Sequence, residues 1–320
     1  MTGSFQITVS NETVKYEFVI RRNISIIRGD SASGKTTLVE MIREYYESGE
    51  NSGIQLSCQR PCRTLSGRDW KILLEATKES IVFIDEDNDF ILTDEFAAAA
   101  RDSDNYYVIV TREGLPNLPY SVDEIYGIRS SGRYAGIRQI YHELYHIYGP
   151  FEFSREFVPD LVIVEDSNAG YEFFRGVGAE KPYSVVSAEG KSNIFRMLLE
   201  ADEERIAVIA DGAAFGSEID RVLKIANRKK TVAIFLPESF EWLVLKAGVV
   251  KQGNLQKILD QPGEFIESRD YFSWERYFTH LLIELTKGGY LQYAKKKLNP
   301  AYLDEKIRNR IMDQIKKIEL

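Results

Sequence analysis

Cysteine is nearly absent from this chain: its 320 residues include only Cys58 and Cys62. A disulfide framework is thereby excluded, a lone C-x-x-x-C offers too few ligands for a metal centre, and two thiols suit a reducing cytoplasm. No apolar run approaches the length of a membrane span, so no membrane partner is expected. Residues Met1 to Gln6 show neither the basic region nor the apolar stretch of a signal peptide, and the expected compartment is the cytoplasm. Positive charge is in short supply as well. The formal net charge is −8, a poor basis for enveloping nucleic acid. The deficit is uneven: from Lys287 to Leu320 nine Lys and Arg face four Asp and Glu, net +5, leaving −13 for the rest. That basic tail reads as solvated helix faces, with contact to nucleic acid or an acidic partner as the sharper reading.

What is present is ample apolar material, 44% of residues, on a length that suits two domains and an appendage. The most informative stretch runs from Asn23 to Thr37. Ile24, Ile26 and Ile27 read as a buried strand, and Leu38, Met41, Ile42 and Tyr45 as one stripe of a helix. Between them Gly29-Asp30-Ser31-Ala32-Ser33-Gly34-Lys35-Thr36 fits G-x-x-x-x-G-K-[ST], the phosphate-binding P-loop. In that pattern backbone N–H groups curl around phosphate oxygens, and a side chain at either glycine would block the curl. Lys35 would supply charge to the β- and γ-phosphates and Thr36 would ligate Mg²⁺. The helix beginning at Thr37 would point its positive end at the anion.

Before this stretch, Phe5, Ile7 and Val9 alternate, Asn11-Glu12 turns, and Val14 to Ile20 alternates again, which reads as a β-hairpin. After it, Ile54 to Cys58 is a short strand, and Trp70, Leu73, Leu74 and Thr77 give Arg68 to Lys78 a helical spacing. Ile81 to Ile84 is a buried strand that ends in Asp85-Glu86, on the side of an open sheet where ligands sit. There Asp85 would hold the Mg²⁺ shell and Glu86 would polarise an attacking water. Tyr106 to Val110 is another buried strand; its end, Thr111-Arg112-Glu113, is either a sensor of the γ-phosphate or a solvated strand end.

The two motifs, with the hairpin before them, resemble the ABC-type ATPase core. The resemblance implies ATP or GTP and Mg²⁺ as cofactors, Gly29 to Thr37 as the nucleotide loop, Thr36 and Asp85 as metal ligands, and Lys35 and Glu86 as catalytic residues. A homodimer is among the assemblies it suggests. Leu65-Ser66-Gly67 is similar to the start of the ABC signature, but Arg68 and Asp69 stand where a second glycine and a glutamine are expected. Only 28 residues separate Thr36 from Leu65, too few for the usual helical subdomain. The other reading of Ser66 is an N-cap for the next helix.

Residues 127–157 read as a connector rich in Gly, Arg and Tyr. Within it His142-Glu143-Leu144-Tyr145-His146 matches H-E-x-x-H, which on a helix would turn both histidines toward one zinc ion. Gln139, His142, Glu143 and His146 also make one polar helix face, opposite Ile137, Ile140, Tyr141, Leu144 and Tyr148, and Gly149-Pro150 stops the helix at once. A solvated helix without zinc is therefore expected. His280, the remaining histidine, shares a polar stripe with Arg276 and Glu284.

From Pro159 strands and helices alternate: Leu161 to Val164, Tyr183 to Ser187, Arg205 to Ala210 and Thr231 to Leu236 are strands, separated by helical stretches. With Glu165 and Asp211 at strand ends, this order resembles a toprim domain, and the resemblance implies Mg²⁺ held by those two carboxylates for DNA cleavage or primer synthesis. An ABC-type ATPase followed by a toprim domain is also similar in order to the overcoming-lysogenization-defect nucleases. Asp166 stands in place of the usual glycine, and Ala213 in place of the second aspartate. Losing that carboxylate removes charge needed for a second cation, unless Glu238 or Glu241 compensates. Beyond Gly253, Trp274, Tyr277, Phe278, Leu281, Leu282 and Leu285 form a helical stripe, and Tyr293 to Leu298 and Tyr302 to Ile318 continue as basic helices.

The expected fold is α/β. A P-loop nucleotide-binding domain occupies 1–126, a connector 127–157, a toprim-like (Rossmann-like) domain 158–252 and a helical basic segment 253–320. The expected function is a slow Mg²⁺-dependent NTPase acting on ATP or GTP, its nucleotide state coupled to the toprim-like domain. Alternatives are an active DNA-processing enzyme and a scaffold locked by nucleotide. A small-molecule kinase is disfavoured because no arginine-rich lid follows the loop.

Overall fold

The N-terminal alternation folds as its period dictates. In the computed structural model, which describes residues 1–29, 34–135, 139–149, 157–226 and 231–315, β1 (Phe5–Ser10) and β2 (Val14–Ile20) pair antiparallel. The turn between them closes on Asn11, whose side-chain oxygen accepts from the N–H groups of Thr13 and Val14, each at 2.9 Å. The chain as a whole separates into two units, Met1–Gly149 with Gly263–Phe272, and Pro150–Pro262 with Ser273–Leu320.

In the first unit β3 (Ile24–Arg28), buried throughout, leads to α1 (Lys35–Ser48). There follow β4 (Gln55–Ser57), β5 (Cys62–Thr64), α2 (Trp70–Ala76), β6 (Ile81–Ile84), α3 (Asp94–Arg101) and β7 (Tyr106–Val110). Two longer strands, β8 (Ile125–Ala135) and β9 (Gln139–His146), complete a nine-stranded mixed sheet in the order β4-β1-β2-β9-β8-β3-β7-β6-β5. Helix α1 touches β1 and β4 at one end of this order and β5 and β6 at the other, so the sheet curls around it. Its buried Leu38, Val39, Met41 and Ile42 share one core with Ile7, Phe18, Ile27, Phe83 and Val108 from the sheet. Burying side chains of this size is worth about 1.5–3 kcal/mol each, which holds the N-terminus of α1 at a defined place beside the sheet.

Three expectations are corrected here. Most of the supposed connector, 127–157, consists of strands β8 and β9 in the centre of this sheet, so the first unit extends past residue 126 to Gly149. The expected helix over 137–148 is in its described part a strand; Tyr141, Tyr145 and Ile140 are good strand formers, and β9 is enclosed between β2 and β8, whose backbone groups favour a ladder over a helix. Gly263–Phe272, assigned to the C-terminal segment, belongs with the first unit.

In the second unit four parallel strands, β10 (Leu161–Val164), β11 (Ser184–Ser187), β12 (Arg205–Ile209) and β13 (Thr231–Phe235), lie in the order β11-β10-β12-β13. The intervening helices are α4 (Ala169–Gly178), α5 (Lys191–Glu200) and α6 (Ile219–Ala226), and α7 (Phe240–Lys246), α8 (Leu255–Asp260), α9 (Trp274–Thr286) and α10 (Glu305–Met312) follow. Tyr293 to Leu298, expected as a helix, runs as turns, because its side chains bond into the unit instead of repeating along a helix face. Among the described residues no helix is long and apolar enough to cross a membrane.

Candidate functional site

β3, β7 and β6 are parallel neighbours, with Ile27 opposite Val110 and Ile84 opposite Ile109. Gly29, Thr111 and Asp85 therefore leave the same end of the sheet side by side. At the usual strand spacing, Gly29 and Asp85 stand about 10 Å apart with Thr111 between them.

Asp30, Ser31, Ala32 and Ser33 lie outside the described residues. The two flanking glycines both take left-handed backbone angles, φ 137° at Gly29 and 89° at Gly34. At Gly34 there is also no room for a side chain: a Cβ there would lie 2.8 Å from Tyr16 Oη and 3.3 Å from His142 Cε1. Tyr16 Oη donates to the Gly34 carbonyl at 2.8 Å, and its ring stacks on His142 at 4.7 Å between centroids. The two rings face each other because Tyr16 of β2 and His142 of β9 are register partners. Burial raises the Tyr16 phenol to about 12 and lowers the His142 imidazole, so a neutral, rigid pair underlies the helix start. Lys35 is only 4% exposed and its Nζ donates to the Gly29 carbonyl at 2.7 Å, bridging the base of the loop. Thr36 and Thr37 are exposed on the first turn of α1.

Asp85 is buried, and its Oδ1 accepts the Glu86 N–H at 2.8 Å. Its carbonyl accepts from Asn88 Nδ2 at 3.0 Å, which tightens the acidic turn. Magnesium takes one or two carboxylates and completes its shell with phosphate oxygens and water. An exposed Thr36 hydroxyl and Asp85 at the nearby strand end are a donor set of that kind. Glu86 is held by Arg112, and beside this pair lies a cavity of about 310 Å³ lined by Asp87, Asn88, Thr111 and Glu113 among others. Thr111 is buried and its hydroxyl donates to the Glu113 carbonyl at 3.2 Å, so Arg112, not Thr111, is the polar side chain presented at this strand end. Ser66 caps no helix: α2 begins at Trp70 after Asp69, while the Gly67 N–H donates to Asn88 Oδ1 at 3.1 Å in the loop after Asp85.

His142 and His146 share one face of β9, but four residues of strand separate them by about 13 Å, too far for one zinc ion. His146 turns to the backbone, with Nδ1 2.9 Å from the Asp123 carbonyl oxygen. Among the described residues no three His, Cys, Asp or Glu side chains gather as a metal site.

No family model matches the chain, and no curated protein matches it.

In the second unit Glu165 and Asp211 do meet. β10 and β12 are adjacent, and Glu165 Oε2 accepts the Asp211 N–H at 3.0 Å. Burial raises Glu165 to about 7, with Glu275 and Asp166 adding repulsion; burial and the same Glu275 raise Asp211 as well. Three further residues shape these sites without a role legible in the sequence: Tyr16, Tyr293 and Lys295. Of these Tyr16 left a usable trace, as an inward position in the alternation of β2 just upstream of the loop.

Proposed function

We propose that the first unit binds ATP or GTP with Mg²⁺ and hydrolyses it slowly, and that the second unit, toprim-like in its strand order and acid positions, responds to nucleotide without cutting DNA. The observation that carries this reading is the run of neighbours β3, β7 and β6, which presents Gly29, Lys35 and Thr36 at the same sheet end as Asp85 and Glu86. In this reading the loop and Lys35 hold the phosphates, Thr36 and Asp85 hold the metal, and Glu86 accepts the proton of the attacking water. Bound Mg²⁺ supplies charge neutralisation at the β- and γ-phosphates. Lys35 exchanges its bond to the Gly29 carbonyl for phosphate oxygens, so the loop trades an internal contact for a ligand contact of the same kind.

A ligand at 100 times its dissociation constant adds about 2.7 kcal/mol to stability. ATP or GTP with Mg²⁺ is expected to raise the melting temperature by several degrees, and Lys35→Ala to lose most of the shift. Glu86→Gln is expected to retain binding while turnover falls by about two to four decades. The absence of any shift in the parent with either nucleotide would refute the proposal. The scaffold reading has one observation in its favour, the closed Arg112–Glu86 pair; binding with no turnover in the parent would select it.

A further inference from the structure

At the carboxyl end of the second sheet, we infer that Lys295 fills the place a divalent cation would take, so that the acidic centre of Glu165, Asp211, Glu241 and Glu275 is closed by the protein's own ammonium group and takes no Mg²⁺. The inference does not depend on the nucleotide site.

The place itself follows from topology. In the order β11-β10-β12-β13 the chain leaves β10 toward one side and later returns on the other. Open parallel sheets bind ligands in the crevice that opens at such a switch point. Glu165 follows β10 and Asp211 lies just beyond β12, so their carboxylates stand at this crevice. Carboxylates gathered there need a counter-charge.

That counter-charge is already present. Lys295 Nζ lies 3.2 Å from Glu241 Oε1 and 3.1 Å from Glu275 Oε1. Glu241 is completely buried, and Tyr293 Oη donates to the same Oε1 at 2.7 Å. Its Oε2 has no hydrogen-bond partner among the described residues, so compensation of this buried carboxylate rests on Lys295 and Tyr293. Asp211 and Asp166 lie close enough to add to the field that keeps the Lys295 ammonium charged against the penalty of burial. A second ammonium, Lys191 at the start of α5, approaches Glu165 and Glu218 and is anchored by donating to the Ala214 carbonyl at 2.8 Å.

Lys295 is not a chance visitor. The Ala169 N–H donates to the Lys295 carbonyl at 3.1 Å, and the Leu298 N–H donates to Glu172 Oε2 at 2.6 Å. Thr286 Oγ1 accepts the Tyr293 N–H at 2.9 Å. The segment is thus sewn to α4 and α9 on both sides of the lysine. Magnesium demands near-octahedral oxygen donors. Here the carboxylates are arranged around an ammonium, and Ala213 supplies none. The Mg²⁺ implied by the toprim resemblance does not fit the residues present.

The test uses the full chain with Mn²⁺ as the probe. Reductive methylation followed by peptide mass spectrometry is expected to label exposed Lys296 and Lys297 at least tenfold faster than Lys295. Calorimetric titration of nucleotide-free parent is expected to show no Mn²⁺ binding that is lost in Glu165→Gln. In Lys295→Met, Mn²⁺ binding dependent on Glu165 is expected to appear. Equal labelling of Lys295 and Lys296, Glu165-dependent Mn²⁺ binding by the parent, or a folded Lys295→Met protein that binds none would each overturn the inference. Should Lys295→Met not fold, Glu275→Gln replaces it: removing one partner is expected to speed Lys295 labelling severalfold, and an unchanged rate would overturn the inference equally.

Discussion

Arg112 occupies both carboxylate oxygens of Glu86, with Nε 3.0 Å from Oε2 and Nη2 2.9 Å from Oε1. Each oxygen keeps a second lone pair, but the bound guanidinium weakens the carboxylate as a proton acceptor until the pair opens. The pair is solvent-facing, with Arg112 59% exposed, so opening it costs about 0.5–1 kcal/mol. Arg112→Ala is accordingly expected to raise basal nucleotide turnover about two- to fivefold, at 1.36 kcal/mol per decade, with little change in melting temperature. Steady-state phosphate release checks it. A loss of turnover in Arg112→Ala would instead give Arg112 a direct role at the phosphates.

Gly34 is constrained twice, by its positive φ and by Tyr16 Oη. Gly34→Ala is expected to destabilise the first unit by roughly 1–3 kcal/mol, since strain at a left-handed position adds to a contact that a buried ring cannot yield. Tyr16→Phe removes the obstructing oxygen. The double variant Gly34→Ala/Tyr16→Phe is therefore expected to recover part of the loss, which denaturant titration of the four proteins would measure. Strict additivity of the two changes would show that the contact carries no energy.

Glu165 has a folded-state value near 7 against an ordinary 4.5, raised chiefly by burial. The protonated form is favoured by folding, so the stabilisation is complete below about pH 4.5 and is lost as pH rises through 7. The shift corresponds to at most about 3 kcal/mol. Urea titrations from pH 4.5 to 8 are expected to show the parent losing stability relative to Glu165→Gln, which lacks the titrating proton. Parallel profiles for the two proteins would contradict this.

Cys58 and Cys62 face one cavity of about 500 Å³ that Arg60 and Arg63 also line. The neighbouring Cys62 thiol lowers Cys58 to about 6, while Cys58 and burial push Cys62 up. Iodoacetamide is expected to modify Cys58 alone in the folded protein, with a midpoint near pH 6. In Cys62→Ala the midpoint is expected to move toward the ordinary thiol range. Mass spectrometry across pH 5–9 distinguishes the two cases, and equal alkylation of both thiols would exclude the arrangement.

The strands β3, β6, β7, β10 and β12 were legible because each is a short, mostly apolar run with a glycine or a polar residue just beyond its end. Burial on both faces writes that pattern directly into sequence. β9 was not legible, since Gln139 to His146 is half-exposed on a mixed sheet and its residues satisfy a helical stripe as well as a strand. Arg112 was visible as a polar strand end, but its partner is chosen by the adjacency of β7 and β6, which no local pattern encodes. Lys295, Lys296 and Lys297 are alike in sequence, and only the turn that carries them decides that the first faces inward and the next two outward.

The return of Gly263–Phe272 to the first unit has a consequence for synthesis. The Gly3 N–H donates to the Gly263 carbonyl at 2.8 Å, and Asn23 Nδ2 donates to the Phe272 carbonyl at 2.8 Å. These bonds join the hairpin and the entry to β3 to residues made more than a hundred positions later. At a translation rate of roughly 5–20 residues per second, the N-terminal unit waits on the order of ten seconds on the ribosome with those partners missing. The unit that is made first is thus completed only after most of the second unit has left the exit tunnel, and a message cut after the codon for Gly149 would encode it without its last strap.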